Sequence, residues 1–270
     1  MFSVVILTLN EERDLPGCLA SVRSCDDVVV LDSGSTDRTV ALAHEAGTRV
    51  FTRKFDHFAG QRNFAQREIP FRHPWVFHLD ADEQMTPALM AECQAAMTRT
   101  ELDGFLVAPR MIFRGRWIPH CTDFPAYQAR FVRAPQFEFM QSGHGQREAG
   151  HMRLDRLREN YLHDLSSGGE EEWLAKHRRY AREEAAQHVH AHQPVPWRDL
   201  LAGDGLRRRR ALKQASYTLP FRPTLRFVYQ YLLRRGFLDG AAGLRYCQLL
   251  ATYERFAVEE LRRLRSPRTP

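Results

Sequence analysis

The sequence predicts an α/β protein with a mostly parallel open sheet, flanked by helices and followed by a helical C-terminal extension. Apolar segments alternate with segments of helical periodicity four times within roughly the first hundred residues, the pattern of parallel sheets with covering helices. Polar clusters directly follow three of the predicted strands. After residue 170, only helical patterns remain.

The first part of the chain supplies the alternating elements. Its predicted strands, except the third, are largely apolar, which is typical of strands buried on both faces. They cover residues 2–9, 27–31, 48–52 and 75–79. The helical patterns cover residues 15–22, 40–46, 58–67 and 88–97. Gly47 suits the end of the second helix, and Pro87 suits the opening of the fourth.

From residue 104 the pattern changes to short strands separated by proline, glycine and arginine. We expect them to continue the sheet in antiparallel fashion, and they cover residues 105–107, 111–113, 127–132 and 137–139. Helices are predicted at residues 170–192, 196–215, 222–235 and 241–264. The chain is therefore predicted to have an α/β domain over residues 1–165 and a helical extension over residues 166–270.

Composition indicates a folded globular protein. Of 270 residues, 43% are hydrophobic and 27% are charged, which excludes disordered and collagen-like chains. The five cysteines are scattered without a C-x-x-C pair, so we expect neither a disulfide framework nor a zinc ribbon. The sequence shows neither a signal-peptide pattern nor a membrane-spanning apolar run. We therefore expect a cytoplasmic location.

Positive charge is concentrated toward the C-terminus. The formal net charge is +6, and four arginines at 207–210 precede an aromatic and aliphatic series that runs from Tyr217 to Phe237. Basic residues beside an amphipathic helix are typical of peripheral membrane proteins. One hypothesis is docking on the inner face of the cytoplasmic membrane; the alternative is a solvated arginine face over a helical core. No nucleic-acid-binding motif accompanies the charge, so we expect no nucleic-acid partner.

The three polar clusters lie where an open α/β sheet binds its ligands. They are the segments 8–11, 32–37 and 80–83, and each follows a strand. An isolated aspartate at such a position would more simply cap a helix. Asp80 and Asp82, one residue apart, suit a hard divalent cation such as Mg²⁺ or Mn²⁺. Such a cation offsets the charge that develops on a diphosphate leaving group.

Three ordered segments together resemble the successive motifs of family 2 glycosyltransferases. They read SVVILTLNEE at 3–12, VVVLDSGSTD at 28–37 and LDAD at 79–82. KHRRYA at 176–181 and GFLDG at 236–240 resemble a subgroup that builds lipopolysaccharide core and other surface polysaccharides. The resemblance implies the glycosyltransferase A fold and inverting transfer from a nucleotide-sugar donor, UDP-linked, to a saccharide or lipid-linked acceptor.

The resemblance also implies which residues bind the nucleotide. Thr8, Asn10 and Glu11 would line the nucleotide pocket. Asp32 would accept hydrogen bonds from the base. These expectations place four polar residues from two strand ends around one ligand.

A second group would bind the ribose and the diphosphate. On the matching positions, Asp80 and Asp82 would hold the ribose and the metal-bound diphosphate, with Mn²⁺ or Mg²⁺ as the cofactor. Arg62, in the segment GQRN at 60–63, would bring a cation near the nucleotide. Its guanidinium fork suits phosphate on chemical grounds as well, although a solvated helix arginine is the alternative.

An inverting transfer needs a general base to deprotonate the acceptor hydroxyl, and the sequence leaves its identity open. The subgroup often carries an aspartate after a Gly-Arg-Trp segment, but here Ala126 occupies that place. Asp123 lies three residues earlier and is one candidate. Glu148 and His144, in a glycine-flanked polar loop, are two further candidates, and a group outside these three is the remaining alternative.

Two further functions compete with a metal-dependent glycosyltransferase. A catalytically silent nucleotide-sugar-binding or scaffold protein of polysaccharide assembly would explain Ala126, but the intact Asp32, Asp80 and Asp82 argue against it. A nucleotidyltransferase would usually carry a glycine-rich basic loop after the first strand, and the segment 8–12 contains no glycine.

Overall fold

The computed structural model describes residues 1–142, 145–191, 197–201, 203, 208, 211–212, 215–217, 219 and 221–265. The chain divides into two compact units. The α/β unit comprises Met1–Gly115 and Asp123–Ser167, and the helical unit comprises Arg116–Thr122 and Gly168–Pro270. The predicted domain boundary after residue 165 stays a prediction.

The strands of the described residues lie mostly in the α/β unit. In chain order they are β1 (Ser3–Thr8), β2 (Val28–Asp32), β3 (Arg49–Thr52), β4 (Trp75–Asp80), β5 (Glu83–Gln84), β6 (Gly104–Val107), β7 (Pro109–Phe113), β8 (Arg116–Trp117), β9 (Gln128–Arg133), β10 (Phe139–Ser142), β11 (Gly145–Glu148), β12 (Leu154–Arg156) and β13 (Tyr161–Asp164). The strand predictions at 2–9, 27–31, 48–52 and 75–79 are confirmed to within two residues at each end.

The main sheet has the order β12-β6-β9-β4-β1-β2-β3. Strand β1 pairs in parallel with both β2 and β4, whereas β9 pairs antiparallel with β4 and β6. Alternate residues of β1 belong to two different core clusters, Val4 and Ile6 to one and Val5 to the other. The sheet is therefore buried on both faces, as its apolar strands predict.

The predicted antiparallel continuation is only partly correct. It holds for β6 and β9, but β7 lies in a second sheet, where it pairs in parallel with β13. The segment predicted at 137–139 is shifted into β10, which forms a separate hairpin with β11. Local apolar patterning predicts that a segment is extended, but the partner strand is set by contacts between residues distant in the sequence.

The helices of the α/β unit, except the second, begin at side-chain caps or prolines. They are α1 (Leu15–Ser21), α2 (Thr39–Glu45), α3 (Phe58–Glu68) and α4 (Pro87–Ala96). His57 Nδ1 accepts a hydrogen bond from the Gly60 amide at the start of α3. Thr86 Oγ1 accepts one from the Leu89 amide at the start of α4, and Pro87 occupies its first turn as predicted.

The helical unit contains two long helices and several short ones. In chain order they are α5 (Gly169–Ala191), α6 (Trp197–Leu200), α7 (Arg222–Val228), a π-helical turn (Tyr229–Leu233), a 3₁₀ turn (Gly236–Asp239) and α8 (Gly240–Arg265). The helix predicted over 222–235 thus changes to a π turn after Val228. Half of the residues of the helix predicted at 196–215 lie outside the described residues. In the described part of the chain, no helix has the length and apolar character needed to cross a bilayer.

Candidate active site

Asp32 orders the loop that follows β2. Its Oδ1 accepts hydrogen bonds from Thr8 Oγ1 at 2.9 Å and Ser35 Oγ at 2.5 Å, and its Oδ2 accepts from the Gly34 and Ser35 amides. Burial raises the pKa of Asp32, but these hydrogen bonds outweigh burial and hold the pKa below its ordinary value. The carboxylate is therefore ionised and fixed in one orientation.

The loop after β1 is fastened to the loop after β2. Asn10 has a positive φ of 58°, and its Oδ1 accepts a hydrogen bond from the Thr36 amide at 2.8 Å. The Asn10 amide donates to Ser35 Oγ, and the Glu11 amide donates to Thr39 Oγ1. The four residues predicted to line the nucleotide pocket thus share one rim at the carboxyl edge of the sheet.

Asp80 ends β4, and two buried arginines hold its carboxylate. Arg62 Nη2 donates to Asp80 Oδ1 at 2.8 Å, and Arg130 Nη2 donates to Asp80 Oδ2 at 3.0 Å. Burial raises the pKa of Asp80, but the charges of Arg130 and Arg62 outweigh burial and keep the pKa well below its ordinary value. Because the Arg62 side chain is only 1% exposed, its charge acts on the site through Asp80.

Glu83 and His163 complete the acidic cluster. Glu83 Oε1 accepts from Arg130 Nη2 at 2.6 Å, and Glu83 Oε2 accepts from the Asp80 amide at 2.9 Å. Burial raises the pKa of Glu83 to about 7. His163 Nε2 lies 3.2 Å from Asp82 Oδ2; burial lowers the pKa of His163, but the hydrogen bond to Asp82 and the nearby carboxylates outweigh it and raise the pKa to about 9. His163 is thus a cation at neutral pH.

Several buried nitrogens beneath Asp80 lack a hydrogen-bond partner among the described residues. They are Arg62 Nε and Nη1, Arg130 Nε and both ring nitrogens of His78. Burial lowers the pKa of His78 well below its ordinary value, so this imidazole is neutral. The two arginines therefore offer more donors than the cluster has acceptors, which keeps Asp80 ionised and favours bound anions or buried water.

The residues present fit a divalent cation at this edge of the sheet. Asp80 and Asp82 are partly exposed, and each carboxylate oxygen has a second lone pair beyond the one that an arginine or His163 uses. No cluster of three protein ligands occurs among the residues that the structure describes. Mg²⁺ and Mn²⁺ need only one or two carboxylates where phosphate oxygens and water supply the rest.

The three candidate bases lie in different surroundings. Asp123 is exposed and precedes β9, and Glu148 is half-buried at the end of β11. His144 lies outside the described residues. The structure therefore leaves the identity of the base a prediction.

Glu83 lies in the predicted polar cluster 80–83 but has no predicted role there, and neither Arg130 nor His163 is predicted from the sequence to belong to the site. Arg130 is a charged residue within the apolar strand β9, and Glu83 directly follows the Asp-x-Asp segment. These sequence positions are the signals that could have identified Arg130 and Glu83. Neither position predicts that β9 pairs with β4, the pairing that brings the Arg130 guanidinium to Asp80. His163 arrives on β13, which pairs with the short strand β5 that contains Glu83.

An open α/β sheet, an ordered loop after β2 and a strand-end Asp-x-Asp together form the arrangement that the sequence motifs predict. The family model described as glycosyl transferase family 2 matches residues 3–154, which is more than half of the chain. The chain belongs to this family, so the predicted family and its glycosyltransferase A fold are confirmed.

The similar proteins include glycosyltransferases from two bacterial genera. Over 116 residues the chain is 39% identical to the lipopolysaccharide core biosynthesis glycosyltransferase LpsC of Rhizobium meliloti, covering 40% of this chain and 42% of that protein. An uncharacterized glycosyltransferase of Rickettsia bellii is 32% identical over 105 residues, 38% of this chain and 35% of that protein. The matched region thus spans about four tenths of these relatives or less.

A solved structure also aligns over nearly the whole chain. It is S. aureus TarS 1-349 in complex with UDP-GlcNAc, with a TM-score of 0.47 and 15% identity, covering 99% of this chain and 93% of that chain.

Proposed function

We propose that this protein is a glycosyltransferase that moves one sugar, with inversion, from a nucleoside-diphosphate sugar to a saccharide or lipid-linked acceptor. UDP is the proposed nucleotide, and lipopolysaccharide or surface polysaccharide is the proposed product. The observation that carries the proposal is the Asp80 carboxylate at the end of β4, kept ionised by Arg62 and Arg130. Family membership and the similarity to LpsC support it.

The donor would bind along the carboxyl edge of β1, β2 and β4. Thr8, Asn10 and Glu11 would line the nucleotide pocket, and Asp32 would act on the base. Because all four Asp32 hydrogen bonds are made within the protein, its direct contribution would require exchange of a Ser35 or Gly34 bond. Asp80 would accept hydrogen bonds from the ribose hydroxyls, in the orientation that the two arginines impose.

Asp80 and Asp82 are the residues that would hold Mn²⁺ or Mg²⁺. When bound, the cation supplies positive charge that stabilises the departing diphosphate. His163 Nε2 lies 3.2 Å from Asp82 Oδ2 and would hold that carboxylate in place beside the cation. Arg62 acts in this arrangement by orienting Asp80.

The acceptor hydroxyl would be deprotonated by one of Asp123, Glu148 or His144. The substitutions Asp123→Asn, Glu148→Gln and His144→Gln test the three candidates one at a time. The true base should lose most of kcat while donor binding, followed by thermal shift, stays unchanged. A candidate whose variant keeps near-normal turnover is not the base.

The test of the proposal is a panel of UDP-, GDP- and dTDP-sugars assayed with Mn²⁺ or Mg²⁺ for sugar transfer and slow hydrolysis. We expect turnover of at least one donor by the wild type and a loss of about a hundredfold or more in Asp80→Asn. The matched control is Asp155→Asn, because Asp155 is an exposed carboxylate that ion-pairs with Arg99. Donor binding without any turnover would instead favour the silent binding protein that Ala126 suggests.

A further inference from the structure

The helical unit carries one continuous segment, 221–238, whose large apolar side chains face outward. The exposed fractions of these side chains range from 37% to 79%. We call this set the apolar face, and it consists of Phe221, Leu225, Val228, Tyr229, Leu232, Leu233, Phe237 and Leu238. Contiguous exposed apolar surface of this kind marks an interaction site in soluble proteins.

The polarity of α7 and the π turn is the reverse of that of an ordinary surface helix. Phe221, Leu225, Val228 and Leu232 recur at helical spacing on the outward side. The buried side chains of the same segment are polar. Arg222 pairs with Glu254 at 2.6 Å, and Gln230 Nε2 donates to the Cys121 carbonyl at 2.6 Å.

An ion pair and a hydrogen bond therefore hold the segment 221–238 to the rest of the helical unit, while its leucine side chains remain exposed to solvent. A packing role within the helical unit therefore does not account for the outward leucines. Their exposure calls for a partner with an apolar layer.

Charge identifies the kind of partner. Residues 221–238 include four arginines and no aspartate or glutamate. Arg235 is exposed and forms no ion pair with a carboxylate among the described residues, whereas Arg226 is half-buried on the inward side and acts electrostatically on Glu254. Positive charge that borders exposed leucines and a tyrosine matches an anionic lipid surface, where phosphates lie directly above an apolar layer.

We propose that the apolar face binds the surface of an anionic phospholipid bilayer. Leu225, Leu232 and Leu233 enter the boundary between headgroups and acyl chains. Arg235 contacts the lipid phosphates, and the Tyr229 ring lies at the interface, where its hydroxyl stays hydrated. This contact is independent of the donor site, because every residue that makes it belongs to the helical unit.

The test is co-sedimentation of the full chain with vesicles of equal parts phosphatidylcholine and phosphatidylglycerol, and with vesicles of phosphatidylcholine alone. We expect binding to the mixed vesicles that weakens as salt rises. Leu225→Ser with Leu232→Ser should lower the partition coefficient by roughly tenfold or more. Arg235→Gln should lower it by about fivefold, and only for the anionic vesicles.

The matched control combines Met140→Ser with Leu264→Ser. These side chains are 54% and 41% exposed, against 47% for Leu225 and 53% for Leu232, and they lie outside the apolar face. Thermal unfolding of each variant checks whether the substitutions at exposed positions leave the fold intact.

Three outcomes would overturn the proposal. One is no binding to the mixed vesicles at low salt, and another is equal binding by the apolar-face variant and the control. The third is a lipid-free dimer, seen by sedimentation velocity, that the apolar-face substitutions dissociate while vesicle binding is absent. Sugar transfer to a soluble acceptor is measured separately, so failure of the membrane contact is distinguishable from failure of the proposed function.

Discussion

Arg130 shows how a single buried side chain organises the site. Its guanidinium donates to the His78 carbonyl, to Asp80 and to Glu83, and it lies 5.1 Å from the centre of the Tyr161 ring. Two carboxylates that would repel each other are thereby held on one cation. The Asp80 carboxylate is therefore oriented both by its place at the end of β4 and by its hydrogen bond from Arg130.

Removing that cation should destabilise the fold. We expect Arg130→Met to lower the free energy of unfolding by about 3 to 5 kcal/mol, because Glu83 and Asp80 lose their partner in a buried place. Urea unfolding at constant m-value measures it. Arg153→Met is the control, since Arg153 pairs with Asp103 but is 63% exposed, and its loss should cost about 1 kcal/mol or less.

An unchanged urea midpoint in Arg130→Met would show that the carboxylates do not depend on Arg130. If the variant does not fold, Arg130→Met combined with Glu83→Gln provides the second measurement. The double variant should recover part of the stability, because one of the two stranded charges is gone.

Asp27 gives a pH-dependent contribution at the opposite edge of the sheet. It accepts hydrogen bonds from Ser3 Oγ, the Arg72 amide and Arg49 Nη2. Burial raises the pKa of Asp27, but these hydrogen bonds outweigh burial and lower the pKa. A carboxyl with a lower pKa in the folded state stabilises the protein above the unfolded-state pKa, and that contribution is lost as pH falls through the folded-state pKa.

We therefore expect the cost of Asp27→Asn to depend on pH. At pH 7 the substitution should lower the free energy of unfolding by about 1 to 3 kcal/mol. The difference from wild type should start to shrink below about pH 4, because the carboxyl then binds a proton in the unfolded state first, and it should shrink further as pH falls through the lower folded-state pKa. Paired urea titrations between neutral and acidic pH test this, and a cost that stays constant with pH would contradict it.

Site residues differ in how far the sequence can predict them. Asp80, Asp82 and Asp32 follow apolar strands in sequence, so the parallel pairing of β1 with β2 and β4 is enough to bring them to one edge. Arg130 reaches Asp80 only through the antiparallel pairing of β9 with β4, across 50 residues. Pairing at that separation has no local signal.

At the scale of elements, the strands connected by helices were predictable, and the pairing of the short strands after residue 104 was less so. A strand buried on both faces has a continuous apolar run, as β1 and β4 do, and the helix between two such strands fixes their parallel direction. The short strands after residue 104 lack connecting helices. Strand β7 therefore joins β13 in a second sheet, although its pattern resembles that of β6.

Asp239 is the residue around which the helical unit packs the segment 116–122. Its Oδ2 accepts hydrogen bonds from the His120 amide at 3.0 Å and the Cys121 amide at 2.8 Å, and His120 Nδ1 lies 2.6 Å from its Oδ1. The first turn of α8 packs directly against the 3₁₀ turn Gly236–Asp239. At Gly243, an added Cβ would lie 2.5 Å from Asp239 Cβ and 2.5 Å from the Gly236 carbonyl oxygen.

Gly243→Ala should therefore destabilise the protein. In an ordinary helix interior, replacing glycine with alanine stabilises by roughly 0.5 to 1 kcal/mol, so the sign of the effect is diagnostic. Here the carbonyl of Gly236 cannot move aside cheaply, and we expect a loss of about 1 to 3 kcal/mol in urea unfolding. Gly203→Ala is the control, because nothing lies within 4 Å of its added Cβ. A stabilised Gly243→Ala variant would show that α8 shifts freely.

At the scale of the whole molecule, binding and folding are linked. Any ligand that binds only the native state raises stability by RT ln(1 + [L]/Kd), which is about 2.7 kcal/mol at a hundred times Kd. The proposed site predicts a specific form of this linkage. The cation needs diphosphate oxygens to complete its coordination, because Asp80 and Asp82 supply only part of it.

We accordingly expect UDP and Mn²⁺ together to raise Tm by more than the sum of their separate effects. Thermal unfolding with each ligand alone and with both measures the excess. Asp82→Asn should abolish the excess but keep part of the shift from UDP, since its carboxylate serves the cation, whereas Asp155→Asn should keep both. Additive shifts in the wild type would mean that nucleotide and metal bind independently, and the assignment of Asp80 and Asp82 to a shared metal and diphosphate would then be wrong.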